Sequence, residues 1–281
     1  MSITRTNKNI PFIHDEIIEE WDIRSANTSL MRYYGLIDTK IIEKFESLKK
    51  SEREPKVGLY LRKYPEVGRA LEEGFTKIIK EFIIVNDLDE NQEIISIKKD
   101  SVFVRNKTVR QNEFGKNSEV KFLKKNSYTG CIIIPNYEFY YSRDKVDVKG
   151  ISDSSLPLHN DGTLAFISVL MQESKNWIGL NEYMRDYAYA YKNRELPFNA
   201  YREFNSNSKF RVNLFGHEVL MDDIDEELLD DTDISFNYSK VYLPIMKIIA
   251  KWRKEYMRIP FFFYIVPLIL PVKNVFTALA M

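Results

Sequence analysis

The amino-acid sequence predicts an α+β fold in which helices cover an antiparallel sheet. A strand-like segment at residues 16–24 precedes a helix whose apolar residues recur at steps of three and four. Two short β-rich segments then flank a polar tip, and further β-rich segments continue to about residue 150. This order of strand, helices, hairpin and further strands favours an α+β domain.

The first half of the chain contains one strand candidate and several helix candidates. The strand leads to Asp22, and a short helix ending at Gly35 follows it. Residues 38–63 are polar and basic with helical propensity, and we expect an interruption at Pro55 and Gly58. A clearer helix comes next. Its apolar face consists of Val67, Leu71, Phe75, Ile78, Ile79 and Phe82.

The next segments are β-rich. Two arms within residues 93–104 flank the polar residues 98–100, which predicts a β-hairpin or a bulged strand. Residues 118–150 continue as strands. The aromatic stretch 137–141 either packs in the core or stacks on bases, and alternating aromatics on a strand favour the core. Helical patterns begin near residue 162.

The charge balance excludes a globally basic nucleic-acid-binding protein. The 281 residues include 41 Lys and Arg and 41 Asp and Glu, so the net charge is zero. Basic residues are concentrated at 40–80 and 98–125, so any surface for nucleic acid must be local. The acidic run 222–233 lacks the spacing of a calcium loop and is interpreted as a solvated loop.

The cysteine and histidine residues do not indicate a zinc site. A single cysteine, Cys131, excludes an intrachain disulfide and a cysteine-based zinc cluster, and its apolar neighbours predict a buried thiol. His14, His159 and His217 have no metal-ligand spacing, so we expect structural roles. Residues 159–162 are interpreted as a turn.

The ends of the chain predict a cytoplasmic protein with no membrane partner. The first residues lack the apolar core of a secretory signal. Residues 259–272 are apolar, but they are short for a membrane span and contain three prolines, so buried chain or a docking segment is favoured. The abundance of Lys, Ile, Asn and Tyr suggests an AT-rich genome, compatible with a virus, in which case the compartment is the host cytoplasm, or with a low-GC bacterium.

Asp22 and Asp100 stand at the ends of predicted β elements, where paired carboxylates can hold divalent metals. Asp22 is followed by Ser25 and Ser29, and the segment Lys98–Ser101 leads into an apolar strand. These two segments resemble two motifs of the palm of family B DNA polymerases. Asp22, Ser25 and Ser29 match the first motif, D-x-x-S-L-Y-P-S, in register. Asp100 falls on the second aspartate of the motif D-T-D-S, whose first aspartate is Lys98 here.

Three shorter segments extend this resemblance over residues 16–151. Lys125–Gly130 is similar to the K-K-R-Y-A-G segment that follows the primer duplex in the family, and residues 149–151 are similar to the K-G-I after it. Residues 68–69 resemble the G-R that opens the helix before the second motif. These matches occur in the family's order, which is the main reason to take them together.

The resemblance implies a template-directed nucleotidyltransferase that uses Mg²⁺ or Mn²⁺, nucleoside triphosphates and a primer–template. Residues 1–150 would be a palm-like domain with reduced fingers at about 37–66, and residues 151–281 a thumb-like region. The resemblance implies a metal site formed by Asp22, Asp100 and the carbonyl of Ile23. It implies that Ser25, Asn27 and Arg69 contact the nucleotide. The residues implied to contact nucleic acid are Lys125, Tyr128 and Lys149.

The departures from the family pattern qualify the expected activity. The middle motif K-x-x-x-N-S-x-Y-G has no counterpart, so Arg69 becomes the best candidate for the triphosphate. Asn27 replaces the tyrosine that lies against the sugar, which predicts relaxed or reversed choice between ribose and deoxyribose. No exonuclease region precedes Asp22, so proofreading is not expected, and the chain is a minimal polymerase or one piece of a split one.

Two other functions remain open from the sequence. The missing middle motif favours a palm-like nucleic-acid-binding subunit that is non-catalytic or active only with a second polymerase subunit. The retention of both aspartates, Asp22 and Asp100, argues against that reading. A structural or assembly protein with accidental motif matches is the third possibility.

Overall fold

The computed structural model describes residues 4–143, 145–173, 177–201, 203–204, 211–214, 217–220 and 237–256. The predictions for the acidic run 222–233 and the apolar segment 259–272 concern residues outside these ranges. Antiparallel strands and α-helices make up the described part, which confirms the predicted α+β class.

The chain divides into two compact units. The first consists of Met1–Ile10 and Glu16–Tyr128, and the second of Pro11–Asp15 and Thr129–Met281. This boundary falls inside two long strands. The predicted division at residue 150 concerned palm-like and thumb-like roles, and it stays a prediction.

The strands and helices follow the expected order. The strands are β1 (Thr4–Thr6), β2 (Phe12–Ile23), β3 (Ile94–Lys98), β4 (Ser101–Arg105), β5 (Glu113–Phe114), β6 (Val120–Ile134), β7 (Tyr137–Ser142), β8 (Lys145–Lys149), β9 (Arg211–Leu214) and β10 (His217–Leu220). The helices are α1 (Ala26–Tyr33), α2 (Thr39–Glu46), α3 (Lys50–Lys63), α4 (Pro65–Val85), α5 (Ala165–Glu173), α6 (Trp177–Lys192) and α7 (Leu243–Tyr256).

The sheet of the first unit has the order β1-β3-β4-β2-β6, with β5 paired to β6. Strands β3 and β4 form the predicted hairpin, in which Lys98 is opposite Ser101. Only Lys99 and Asp100 connect these strands, and Lys99 has the left-handed φ of 49°. In the β2–β4 pair Asp22 is opposite Ser101, so the hairpin tip lies at the end of β2.

Helix α4 covers this sheet with the apolar face that the sequence predicts. Leu71, Phe75, Ile78, Ile79 and Phe82 are buried, and they share one core with Ile23 of β2 and with Val102 and Val104 of β4. Tyr34, which directly follows α1, packs against Gly74 of α4, where a Cβ atom would lie 2.9 Å from its ring.

One prediction about the helices was wrong. Helix α3 continues through Pro55 and Gly58, and the break in residues 38–63 falls between α2 and α3. The proline ring removes one backbone donor, and the rest of the helix is retained. Val57 of α3 is buried in the core of the first unit, which helps to offset this loss.

The second unit combines the hairpin-linked strands β6, β7 and β8 with helices α5, α6 and α7. Cys131 is buried, as predicted, and Phe139 and Tyr140 of the aromatic stretch are buried too. Residues 159–162, which the sequence predicted to be a turn, are instead helical. A 3₁₀ turn at Leu156–His159 leads into a π-helical turn at Asn160–Leu164. No helix among the described residues is long and apolar enough to cross a membrane.

Candidate active site

The structure brings Asp22 and Asp100 together at one end of the sheet. The backbone N–H of Ile23 donates a hydrogen bond of 3.0 Å to the carbonyl oxygen of Asp100. The hydroxyl of Ser101 donates a hydrogen bond of 2.8 Å to Oδ1 of Asp22. Both aspartates therefore lie where β2 meets the tip of the β3–β4 hairpin.

Strand alternation explains why Asp22 is available at this point. Successive side chains of a strand point to opposite faces. Ile23 is buried in the core beneath α4, and the ring of Trp21 lies 6.4 Å from that of Phe82. The carboxylate of Asp22 consequently points to the other face, where its side chain is partly exposed.

The surroundings of Asp100 disfavour its ionised carboxylate and would favour a cation nearby. Burial raises the pKa of Asp100, and the nearby charge of Asp22 raises it further. A hydrogen bond from its own backbone N–H and the positive charges of Lys99 and Lys125 act in the opposite direction and do not compensate fully. A bound cation would relieve the repulsion between the two carboxylates.

Lys125 lies beside this pair, and its contact with the primer strand stays a prediction. Its Nζ is 3.9 Å from Oδ2 of Asp22 and 3.7 Å from Oε1 of Glu20. The side chain is 53% exposed, so its ammonium group can also reach other partners.

Tyr128 is placed differently from what its predicted contact with nucleic acid suggests. It is 2% exposed, its ring stacks on Phe103 with 6.5 Å between centroids, and its hydroxyl donates a 2.9 Å hydrogen bond to Glu20. Any contribution to nucleic-acid binding would therefore act through neighbours such as Lys125.

Glu20 is the residue that the sequence analysis missed. It is buried, and its Oε2 accepts hydrogen bonds from Nδ2 of Asn126 at 2.6 Å and from the hydroxyl of Tyr128. An available signal was its position two residues before Asp22, on the same face of the strand. The signal was obscured because Glu16 and Glu19 of the same strand are also acidic.

The predicted nucleotide-binding residues Ser25 and Asn27 lie at the start of α1, directly after β2. Ser25 has a left-handed φ of 48° and precedes the helix without a side-chain capping bond. Ser29, the third residue of the motif match, donates a 2.7 Å hydrogen bond to the carbonyl of Arg24. Oδ1 of Asn27 is buried and has no hydrogen-bond partner within the described ranges.

Arg69 lies in the first turns of α4 and is exposed. Within the described residues it makes no ion pair, and the structure does not bring it into contact with either aspartate. The same helix does approach the hairpin tip, because Nζ of Lys99 lies 5.1 Å from the ring centroid of Phe75. Arg69 is six residues before Phe75, which is about 9 Å along the helix axis.

Lys149 belongs to the second unit, where it is opposite Glu138 in the β7–β8 pair. Gly150 follows with a φ of 105°, and a Cβ atom there would lie 2.1 Å from the carbonyl oxygen of Asn136. The glycine of the K-G-I match is therefore required by the turn. The nucleic-acid contact of Lys149 stays a prediction.

At this site, two side chains, those of Asp22 and Asp100, are candidate metal ligands. Among the described residues, no group of three or more His, Cys, Asp or Glu side chains is arranged to hold a metal ion. Mg²⁺ is commonly bound through one or two carboxylates together with waters and substrate phosphates. Asp22 and Asp100 fit that kind of site, with the carbonyl of Ile23 as a third oxygen from the chain.

Fold and site together define an α+β protein with a pair of aspartates where two interior strands of an antiparallel sheet end. The chain belongs to the family described as Bacteriophage PBS1 gene 130 protein, whose pattern matches residues 3–251. This match places it in a family of phage proteins, which agrees with the viral alternative for its origin. Comparison with curated proteins gives no match.

Proposed function

We propose that this chain is a template-directed nucleic-acid polymerase in which Asp22 and Asp100 hold two divalent ions. The observation that carries the proposal is their juxtaposition across the β2–β4 pair, where Ser101 orients Asp22 and the backbone of Ile23 holds Asp100. The raised pKa of Asp100 supports the same reading, because two close carboxylates favour a cation between them.

Each protein group has a defined part in this proposal. Asp22, Asp100 and the carbonyl of Ile23 would hold Mg²⁺ or Mn²⁺, which when bound would activate the primer hydroxyl and neutralise the leaving phosphate. Lys125 supplies a partly exposed cation next to these carboxylates, suited to a phosphate of the primer strand.

The remaining assignments follow the resemblance. Ser25 and Asn27 begin the helix that follows Asp22 and would face the nucleotide, whereas Arg69 would reach the triphosphate. Tyr128 would support the primer contact from within the core, and Lys149 would contact nucleic acid from the second unit. Residues 1–150 would serve as the palm, and residues 151–281 as the thumb.

The direct test is primer extension by the full chain, with Mg²⁺ or Mn²⁺, on DNA and RNA templates. We expect Asp22→Asn and Asp100→Asn each to abolish extension and to retain the fold. Asp87→Asn is a matched control, because Asp87 is exposed and has a φ of 51°, which asparagine tolerates. Extension that survives in either site variant would refute the metal assignment.

A partner-dependent nucleic-acid-binding subunit is the second candidate function. The observation that favours it is the lack of a lysine-bearing middle motif within residues 37–66. On this reading the wild-type chain binds primer–template but extends it only when a second polymerase subunit is added, or never. Both functions would be exercised in the cytoplasm of the phage host.

A further inference from the structure

Glu20 is a charged side chain at the centre of a buried hydrogen-bond network in the first unit. Its exposed fraction is 1%. A buried carboxylate is stable only with compensating partners. Asn126 and Tyr128 both donate to its Oε2, and its Oε1 faces the ammonium group of Lys125.

This network connects Glu20 with the proposed metal site through Lys125. Glu20 and Asp22 are two positions apart in β2 and therefore share a face of the strand. The ammonium group lies 3.7 Å from Glu20 and 3.9 Å from Asp22, so the two carboxylates share one positive charge. Since Asn126 and Tyr128 hold the Glu20 carboxylate in place, it cannot follow Lys125 if the lysine moves.

We propose that Glu20 is a positioning residue that retains Lys125 beside the aspartate pair and keeps Asp22 available to a divalent cation. Without the charge of Glu20, the ammonium group would pair with Asp22 alone and compete with a cation for that carboxylate. With Glu20 present, Lys125 has a second partner when a cation occupies Asp22 and Asp100. This inference rests on the proposed function, because it concerns cation binding at that site.

The test is Mn²⁺ binding to the full chain without nucleic acid, measured by electron paramagnetic resonance of the free ion. The variants are Glu20→Gln, Lys125→Met and the double variant. Glutamine preserves the size and the hydrogen-bond acceptor of residue 20. We expect Glu20→Gln to weaken Mn²⁺ binding about fivefold and Lys125→Met to strengthen it. In the Lys125→Met background, Glu20→Gln should have a much smaller effect.

The neighbouring ion pair provides matched controls. Nζ of Lys124 lies 2.9 Å from Oε1 of Glu19, so Glu19→Gln and Lys124→Met make the same charge changes one residue away. We expect both controls to change Mn²⁺ binding by less than twofold, since Glu19 is on the opposite face of β2 from Glu20 and Asp22.

The outcomes separate this inference from the proposed function. If wild type binds Mn²⁺ and Glu20→Gln weakens binding equally with and without Lys125, the positioning role of Glu20 is overturned and the metal site stands. If wild type binds no Mn²⁺, or Asp22→Asn leaves its binding unchanged, the proposed function fails and the inference with it. Should Glu20→Gln not fold, Lys125→Met decides alone, and unchanged binding in it would overturn the inference.

Discussion

Asp22 and Asp100 are held by different parts of the chain. A side-chain hydrogen bond from Ser101 orients the Asp22 carboxylate, whereas the backbone of Asp100 is held by the N–H of Ile23. Both restraints come from strands β2 and β4 of one sheet. A site built on paired strands is held more precisely than one built on loops, as a reaction at a metal centre requires.

The Ser101 hydroxyl is predicted to matter for cation binding more than for stability. Ser101→Ala removes one hydrogen bond, which costs about 1 kcal/mol of unfolding free energy. It also frees Asp22 to rotate, so Mn²⁺ binding should weaken severalfold. The matched control is Ser96→Ala, which removes the hydrogen bond to the carbonyl of Arg5 in the same sheet. Equal Mn²⁺ affinities in the two variants would contradict the orienting role.

The raised pKa of Asp100 predicts a pH-dependent stability. Since the folded-state pKa exceeds that of the unfolded chain, Asp100 stabilises the fold when protonated, and this contribution is lost as the pH rises through the folded value. Asparagine does not ionise. Asp100→Asn should therefore have a higher Tm than wild type near pH 7, and the difference should shrink below the ordinary pKa of 3.8.

Calorimetry in a buffer with a chelator measures this difference without interference from bound cations. A Tm of Asp100→Asn that is lower than that of wild type at pH 7, or a difference independent of pH, would contradict the proposed environment of Asp100. Asp87→Asn, at an exposed position, serves again as the control for the substitution itself.

Asn27 is expected to influence the choice of sugar. The amide is smaller than the tyrosine of the resembled family, and its Oδ1 lacks a hydrogen-bond partner in the described structure. Because the Asn27 side chain as a whole is partly exposed, rotation of its amide would present an oxygen that can accept a hydrogen bond from a ribose hydroxyl. Asn27→Tyr should reduce ribonucleotide extension relative to deoxyribonucleotide extension by about tenfold or more. Single-nucleotide extension measures the ratio of ribonucleotide to deoxyribonucleotide incorporation. Equal ratios in wild type and variant would contradict a role of Asn27 in the choice of sugar.

At the scale of residues, the sequence predicted the aspartate pair but not its surroundings. Asp22 and Asp100 could be found because Asp22 closes a predicted strand, Asp100 lies at the tip of a β-rich element, and both match a motif in register. Glu20 could not be singled out, because burial of one glutamate among several acidic neighbours depends on partners 106 and 108 residues away in the chain. The burial of Tyr128 was missed for the same reason.

Among the elements, α4 carries the packing that supports the site. Its apolar face covers β2, which carries Asp22 near its end, and β4, which begins directly after Asp100. The face was predictable, because its residues recur at helical spacing. The continuation of α3 through Pro55 was not predictable from the sequence. Whether a proline interrupts a helix depends on the tertiary contacts of the residues around it.

Two isoleucines of α4 test this role of packing with the same substitution. Ile79 is fully buried, whereas Ile84 is 76% exposed. Ile79→Ala should lower the unfolding free energy by about 2–5 kcal/mol, and Ile84→Ala should change it by no more than about 0.5 kcal/mol. Denaturant titration measures both values. Similar losses in the two variants would contradict the described orientation of α4.

At the scale of the whole molecule, the fold class was predictable and the division into units was not. The class followed from the order of the apolar patterns along the chain. The boundary between Tyr128 and Thr129 lies within β6. Residues 11–15 also belong to the second unit, although they precede most of the first unit in the chain. No change of composition marks either position, because continuous strands are used on both sides of the boundary.

The proposed function depends most directly on whether Asp22 and Asp100 bind divalent ions together. A crystal structure of the full chain soaked with Mn²⁺ and recorded with anomalous scattering measures this without reference to catalysis. If Asp22 and Asp100 form the proposed metal site, two ions lie about 4 Å apart and both contact the two carboxylates. Ions bound elsewhere, or no ion at these aspartates at millimolar Mn²⁺, would contradict it.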